Sequence, residues 1–162
     1  MATQNTPPSS SQTQENKTEW VSLTVYLFTD VYEQVAEILY SKLKIENAEI
    51  RRSEKRELHT AMVLVAMNNE DEVVKNALST HRKINNETEW KSYNIYLPNY
   101  IHEYFNEDFF MLLKLGNTEL KQCMKRTLHQ AALETAMNNE TELIDVMTND
   151  EYKQDIISEF IE

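Results

Sequence analysis

The stretches WVSLTVYLF (residues 20–28) and WKSYNIYLP (residues 90–98) stand seventy positions apart and share one pattern. In the first, Leu23, Val25 and Leu27 alternate with Ser22, Thr24 and Tyr26; in the second, Tyr93, Ile95 and Leu97 alternate with Ser92, Asn94 and Tyr96. A period of two, rich in β-branched and aromatic residues, predicts a strand with one covered face and one wet face. Such a strand does not stand alone in water. It needs a partner strand and an apolar cover.

The kinship of the two stretches extends outward. Shifting the chain by seventy residues lays TEW (18–20) on TEW (88–90) and LKIENAE (43–49) on LKLGNTE (113–119). The same shift lays KRELHTA (55–61) on KRTLHQA (125–131) and AMNNE (66–70) on AMNNE (136–140). From Thr18/Thr88 to Leu78/Thr148, 23 of 61 pairs are identical without a gap. The chain therefore holds two copies of one unit, and the repeat governs the architecture. A unit of about sixty residues is marginal by itself. The copies are expected to bury their apolar faces together.

After each strand the pattern turns helical, with Thr29 or Asp30 and Pro98–Asn99 as helix-start chemistry. Val31, Val35, Ile38, Leu39 and Leu43 match Ile101, Phe105, Phe109, Leu112 and Leu113 and form one apolar stripe. IENAE and LGNTE interrupt it, with the chain's only glycine at Gly116 and Asn47 and Asn117 as expected caps. A second helix carries Ile50, Leu58, Ala61 and Val65, matched by Leu120, Leu128, Ala131 and Thr135. In AMNNE, Asn69 with Glu72 and Asn139 with Glu142 have N-cap to N3 spacing, which predicts a helix junction and a short third helix.

The domain map reads as a polar, disordered tail over 1–17, a first repeat over 18–80, a linker over 81–87, a second repeat over 88–148 and an acidic C-terminal helix over 149–162. Only one Gly and three Pro favour helix over turn-rich sandwiches. A single Cys123 forms no internal disulfide and is expected to be a small buried residue in a reducing, cytoplasmic setting. No apolar run reaches the ~18 residues of a membrane span, and the start of the chain lacks signal-peptide character. The net charge of -11 argues against indiscriminate adhesion to nucleic acid or membrane while leaving room for a local basic patch.

Strand, helix, short turn, helix is the order of the ribbon-helix-helix family of DNA-binding regulators. SYNIYLPNYIHEYF resembles that family's strand running through a Leu-Pro step into the first helix, and KLGNTELKQCMKRTLHQA resembles its glycine turn, polar cap and second helix. Copy one departs in Phe28 for the proline and Glu46 for the glycine, and both second helices read as longer than the family's. The resemblance covers residues 20–66 and 90–136. It implies a mainly α fold with a two-stranded antiparallel ribbon, here a tandem ribbon-helix-helix pseudo-dimer within one chain.

A two-stranded ribbon fits the major groove and offers its outward side chains to base edges. The expected base-reading set is Ser22, Thr24, Tyr26, Ser92, Asn94 and Tyr96. The expected phosphate-binding set is Arg51, Arg52, Lys55, Arg56, Lys91, Lys121, Lys125 and Arg126, most of them read as the first turns of the second helices. The expected partner is duplex DNA, with a homodimer of pseudo-dimers and a protein partner on the acidic C-terminal helix as further partners. The rival reading is a protein-binding module or inhibitor of the same fold. No cofactor is expected. His59 and His129 read as helix-face residues rather than metal ligands, and nothing assembles an enzyme's acid, base or nucleophile.

Overall fold

Both alternating stretches are strands, β1 (Trp20–Phe28) and β2 (Trp90–Pro98), and they pair with each other antiparallel. The computed structural model describes residues 18–161, so the tail expected at 1–17 lies outside the described residues. The register sets Ser22 opposite Tyr96, Thr24 opposite Asn94 and Tyr26 opposite Ser92. Asn94 is also the residue seventy positions after Thr24, so the ladder is centred on a matched pair of the sequence repeat. The inward face carries Val25, Leu27, Ile95 and Leu97, all essentially inaccessible, as the period of two predicts.

Each strand runs straight into a helix. In the first copy these are α1 (Thr29–Glu33), a π-helical turn (Gln34–Ile38) and α2 (Leu39–Glu46). The same order returns after β2 as α5 (Asn99–Glu103), a π-helical turn (Tyr104–Phe109) and α6 (Phe110–Gly116). The buried positions are Val31, Val35, Leu39 and Leu43, matched by Ile101, Phe105, Phe109 and Leu113, at a strict spacing of four. A strict four drifts around an α-helix of 3.6 residues per turn, and the wider π turn keeps the stripe in line. This corrects the expected stripe at two places. Ile38 and Leu112 point outward, 44% and 52% exposed, and Phe110 joins the core instead.

A 3₁₀ turn follows in each copy, Ala48–Ile50 and Thr118–Gln122. Asn47 and Asn117 do not cap it with a side chain as expected. Each donates its amide backwards, to the Leu43 and Leu113 carbonyls at 3.1 and 3.0 Å, and so closes the preceding helix. Gly116 sits in ordinary right-handed backbone with open space around an added Cβ, so Glu46 takes the same place in copy one without strain.

The second helices, α3 (Lys55–Met67) and α7 (Lys125–Asn138), are buried along most of their length. They touch each other, and each packs on the strand of the other copy: α3 on β2 and α7 on β1. The third helices, α4 (Glu70–Lys83) and α8 (Glu140–Thr148), cross over in the same way, α4 against α7 and α8 against α3. At fourteen residues α4 is longer than the short helix expected, running past the boundary drawn at residue 80. A last helix, α9 (Asp150–Phe160), buries Ile156 and Ile157 against the body.

The junction between second and third helices falls at Asn69 and Asn139, as read from the sequence, but the expected capping pairs form across the copies. Asn69 donates to Glu142 at 2.8 Å and to the Val65 carbonyl. Asn139 donates to Glu72 at 3.0 Å and to the Thr135 carbonyl. Glu142 further accepts from Asn68 and from the Tyr152 hydroxyl of α9. Burial, then this carboxylate, pushes the Tyr152 hydroxyl up to about 12.

Candidate nucleic-acid interface

The alternation of β1 and β2 puts Ser22, Thr24, Tyr26, Ser92, Asn94 and Tyr96 on the side away from the core, and all six are exposed. They form one continuous face two strands wide. At its centre the Thr24 hydroxyl donates to Asn94 Oδ1 at 2.7 Å, which leaves the Asn94 amide hydrogens free for another acceptor. The rings of Tyr26 and Tyr96 flank that pair at 41% and 44% exposure. Lys91 falls outside this face. It stands opposite the inward Leu27, so its side chain leaves the ribbon on the other side, at the strand's exposed start.

The basic residues divide into two groups. Lys55 and Arg56 open α3, and Lys125 and Arg126 open α7. Arg51 and Arg52 instead lie in the turn before α3, and Lys121 lies in the 3₁₀ turn before α7. The expected stacking of Arg51 on Lys55 and Arg52 on Arg56 at helical spacing therefore does not occur, because the helix begins only at Lys55.

The two openings are held unequally. In α3 the Glu57 carboxylate accepts the Glu54 backbone N–H at 2.6 Å, so the helix start already has an anion. Arg56 pairs with Glu54 at 3.0 Å, Lys55 donates to the Ala36 carbonyl of the π turn at 3.2 Å, and Arg51 donates to the Lys44 carbonyl. At the α7 start Met124 and Thr127 replace Glu54 and Glu57, and no side chain caps the helix. Among the described residues Lys121 and Lys125 have no hydrogen-bond or ion-pair partner.

Two residues that sequence reasoning passed over position this basic rim. The Arg56 guanidinium lies over the Trp20 ring at 4.4 Å from its centre, and Arg126 lies over Trp90 at 4.8 Å. Stacking of this kind aligns a cation and contributes about 0.5–1 kcal/mol at an exposed site. The signal was present in the sequence, since a tryptophan opens each strand thirty-six residues before its arginine.

Under the ribbon lie the paired histidines. His59 Nδ1 accepts the Tyr96 backbone N–H at 3.1 Å and its Nε2 meets the Tyr93 hydroxyl at 2.9 Å. His129 Nε2 meets Asn106 Oδ1 at 3.1 Å, while its Nδ1 is buried without a partner. Burial first, then the nearby Lys55 or Lys125, pulls each imidazole down to about 4, so both are neutral at pH 7. Gln130 stands beside His129 and accepts the Phe28 N–H at 2.9 Å, so α7 also ties down the outer edge of β1. Among the described residues no group of three His, Cys, Asp or Glu side chains comes together as a metal cage. Cys123 is buried and unpaired, and burial raises its thiol pKa. No described helix is long and apolar enough to cross a membrane.

No protein-family model, curated protein or solved structure matches this chain.

Proposed function

We propose that the chain is a tandem ribbon-helix-helix protein, a dimer fused into one polypeptide, that reads duplex DNA through the major groove as a transcriptional regulator. The observation that carries this reading is the register of the ribbon. Thr24 pairs with Asn94, its own counterpart in the repeat, so a pseudo-two-fold axis passes through the centre of the exposed face. A ribbon with a dyad at its middle fits a duplex whose strands are related in the same way. The reciprocal bonds Asn69 to Glu142 and Asn139 to Glu72 fit the same axis.

On this reading Asn94 offers adenine an amide, Ser22, Ser92 and Thr24 offer hydroxyls, and Tyr26 and Tyr96 add ring surface. The basic residues at the helix starts hold backbone phosphates on either side. The overall charge of -11 is kept off this face by the ribbon's uncharged outward set. The direct test is titration of the chain against a diverse duplex pool at low and moderate salt. Saturable binding that weakens as salt rises supports the reading; no binding at low salt removes it.

A second reading has its own observation. The exposed side of α5 and α6 carries Tyr100, Met111, Leu112 and Leu115, with Glu103 and Asp108 beside Tyr100, Met111 and Leu112. A protein-binding module would use such a surface together with acidic α9. Substitution of Leu112 and Leu115 by Ser would then abolish partner capture and leave duplex binding untouched.

A further inference from the structure

The copies also meet through polar groups that are not repeated. At the end of β1, Gln130 of α7, only 1% exposed, accepts the Phe28 backbone N–H at 2.9 Å. Seventy residues away these places hold Thr60, whose hydroxyl donates to the Arg56 carbonyl of its own helix, and Pro98, which has no N–H. Between helices, the Asn76 amide of α4 donates to the Thr135 hydroxyl of α7 at 2.8 Å, and Thr135 is fully buried. Their counterparts are Val146 of α8 and Val65 of α3, both buried and apolar. Under the ribbon, His59 Nε2 meets the Tyr93 hydroxyl at 2.9 Å. The counterparts there are Leu23, which has no hydroxyl, and His129, whose Nε2 is held by Asn106 of its own copy.

Each of these bonds crosses from one copy to the other, so it forms only when unlike copies meet. Two first copies placed together would set the Phe28 N–H against Thr60, Asn76 against Val65 and His59 against Leu23. Two second copies would set Gln130 against Pro98, Thr135 against Val146, and Tyr93 against a histidine nitrogen already bonded. A buried donor or acceptor left without its partner costs more than the bond contributes when made. We propose that the interface of each copy is specific for an unlike copy and rejects a like one, with Gln130 on Phe28, Asn76 on Thr135 and His59 on Tyr93 making the choice. The partner that each half fits is the other half of this chain, not a second copy of itself. The bonds of Asn69 to Glu142 and Asn139 to Glu72 repeat in both directions, so they hold the copies together without choosing between them. The choice also fixes the centre of the ribbon as one Thr24 and one Asn94, where like pairing would set Thr24 on Thr24 or Asn94 on Asn94. The proposal rests on how the copies pack and stands apart from the DNA-binding reading.

The test exchanges residues between the copies of the full chain, which keeps its composition unchanged. Asn76→Val with Val146→Asn sets a valine against Thr135 and an asparagine against Val65, the contacts that like pairing would make. Val65→Thr with Thr135→Val sets the same mismatch from the other side. Each double exchange should lower the ratio of folded to unfolded chain about tenfold or more, read as a lower urea midpoint. All four substitutions together rebuild one apolar and one hydrogen-bonded match with the direction reversed, and should restore the midpoint. The strand end is tested in the same way. Thr60→Gln with Gln130→Thr should weaken the chain, and adding Phe28→Pro with Pro98→Phe should restore it. Backbone φ is -62° at Phe28 and -56° at Pro98, so each place accepts the other's residue. Packing alone predicts losses that add, whereas matched pairs predict recovery. Double exchanges as stable as the unaltered chain, or a fourfold exchange no more stable than its doubles, in either set overturn the proposal.

Discussion

The starts of α3 and α7 share the pair Lys-Arg and a tryptophan under the arginine, yet they present opposite electrostatics. At α3 two glutamates and two backbone carbonyls absorb the cations and the helix start. At α7 those glutamates are Met124 and Thr127, and the lysines are left facing solvent. A repeated motif thus carries a repeated backbone without repeating its chemistry. The residues between the motif's fixed points decide whether a cation serves the fold or remains available to a partner. The same lesson holds for His59 and His129, one satisfied on both nitrogens and the other on one.

The largest effect should erase the comparison altogether. Replacing Val25 or Ile95 with Asp puts an unpaired charge where the two strands face the core. That cost is comparable to a domain's whole stability of ~5–15 kcal/mol. Circular dichroism should show no cooperative unfolding transition for either variant. Asn94→Ala, one residue away on the wet face, should stay within about 0.5 kcal/mol of the unaltered chain. Equal damage from the two changes would invert the assignment of faces.

Next in size is the contrast between the two helix starts. Lys125→Glu with Arg126→Glu should abolish duplex binding, whereas Lys55→Glu with Arg56→Glu should weaken it less, because that start is already neutralised. Neutralising Lys125 alone should flatten the slope of log affinity against log salt by about one unit, the share of one phosphate contact. Equal losses at both starts would show that the capping glutamates do not matter to binding.

Acid should find the histidines. Both have folded values lowered from 6.5 to about 4, so between those values the unfolded chain binds more protons than the folded one. The histidines' contribution to stability is therefore full above 6.5, is lost progressively as pH falls from 6.5 to about 4 and is gone below that, about 3 kcal/mol for each histidine. Denaturant unfolding followed across that range checks it, and His59→Gln or His129→Gln should each remove about half of the dependence.

The smallest effect concerns the junctions. A double-mutant cycle on Asn69 and Glu142 should give a coupling of about 1 kcal/mol, and one on Asn139 and Glu72 a similar or smaller value. Single removal of Glu142 should cost more than removal of Glu72, because Asn68 and Tyr152 also donate to Glu142. No coupling in either cycle would mean that the crossed bonds contribute nothing to holding the copies together.

The sequence by itself determined the strands, the repeat, the buried and wet sides of the ribbon and the positions of the helix junctions. The strands and the sides of the ribbon follow from a period of two and the junctions from a short motif, patterns that lie within a few neighbouring residues, and the repeat follows from laying the chain on itself. The candidate site was legible to the same degree: alternation alone placed Ser22, Thr24, Tyr26, Ser92, Asn94 and Tyr96 on one face. Tertiary structure decided what no local period encodes. The glutamate that answers Asn69 is Glu142 rather than Glu72, a partner 73 positions away, and the one that answers Asn139 is 67 positions away. The π turns, which carry Ile38 outward and bring Phe110 inward, depend on fitting a stripe of fours against a core built by both copies. Whether Lys55 and Lys125 are bound or free depends on which carbonyls and carboxylates the fold brings within hydrogen-bond reach, and that distance exists only once the chain has closed on itself.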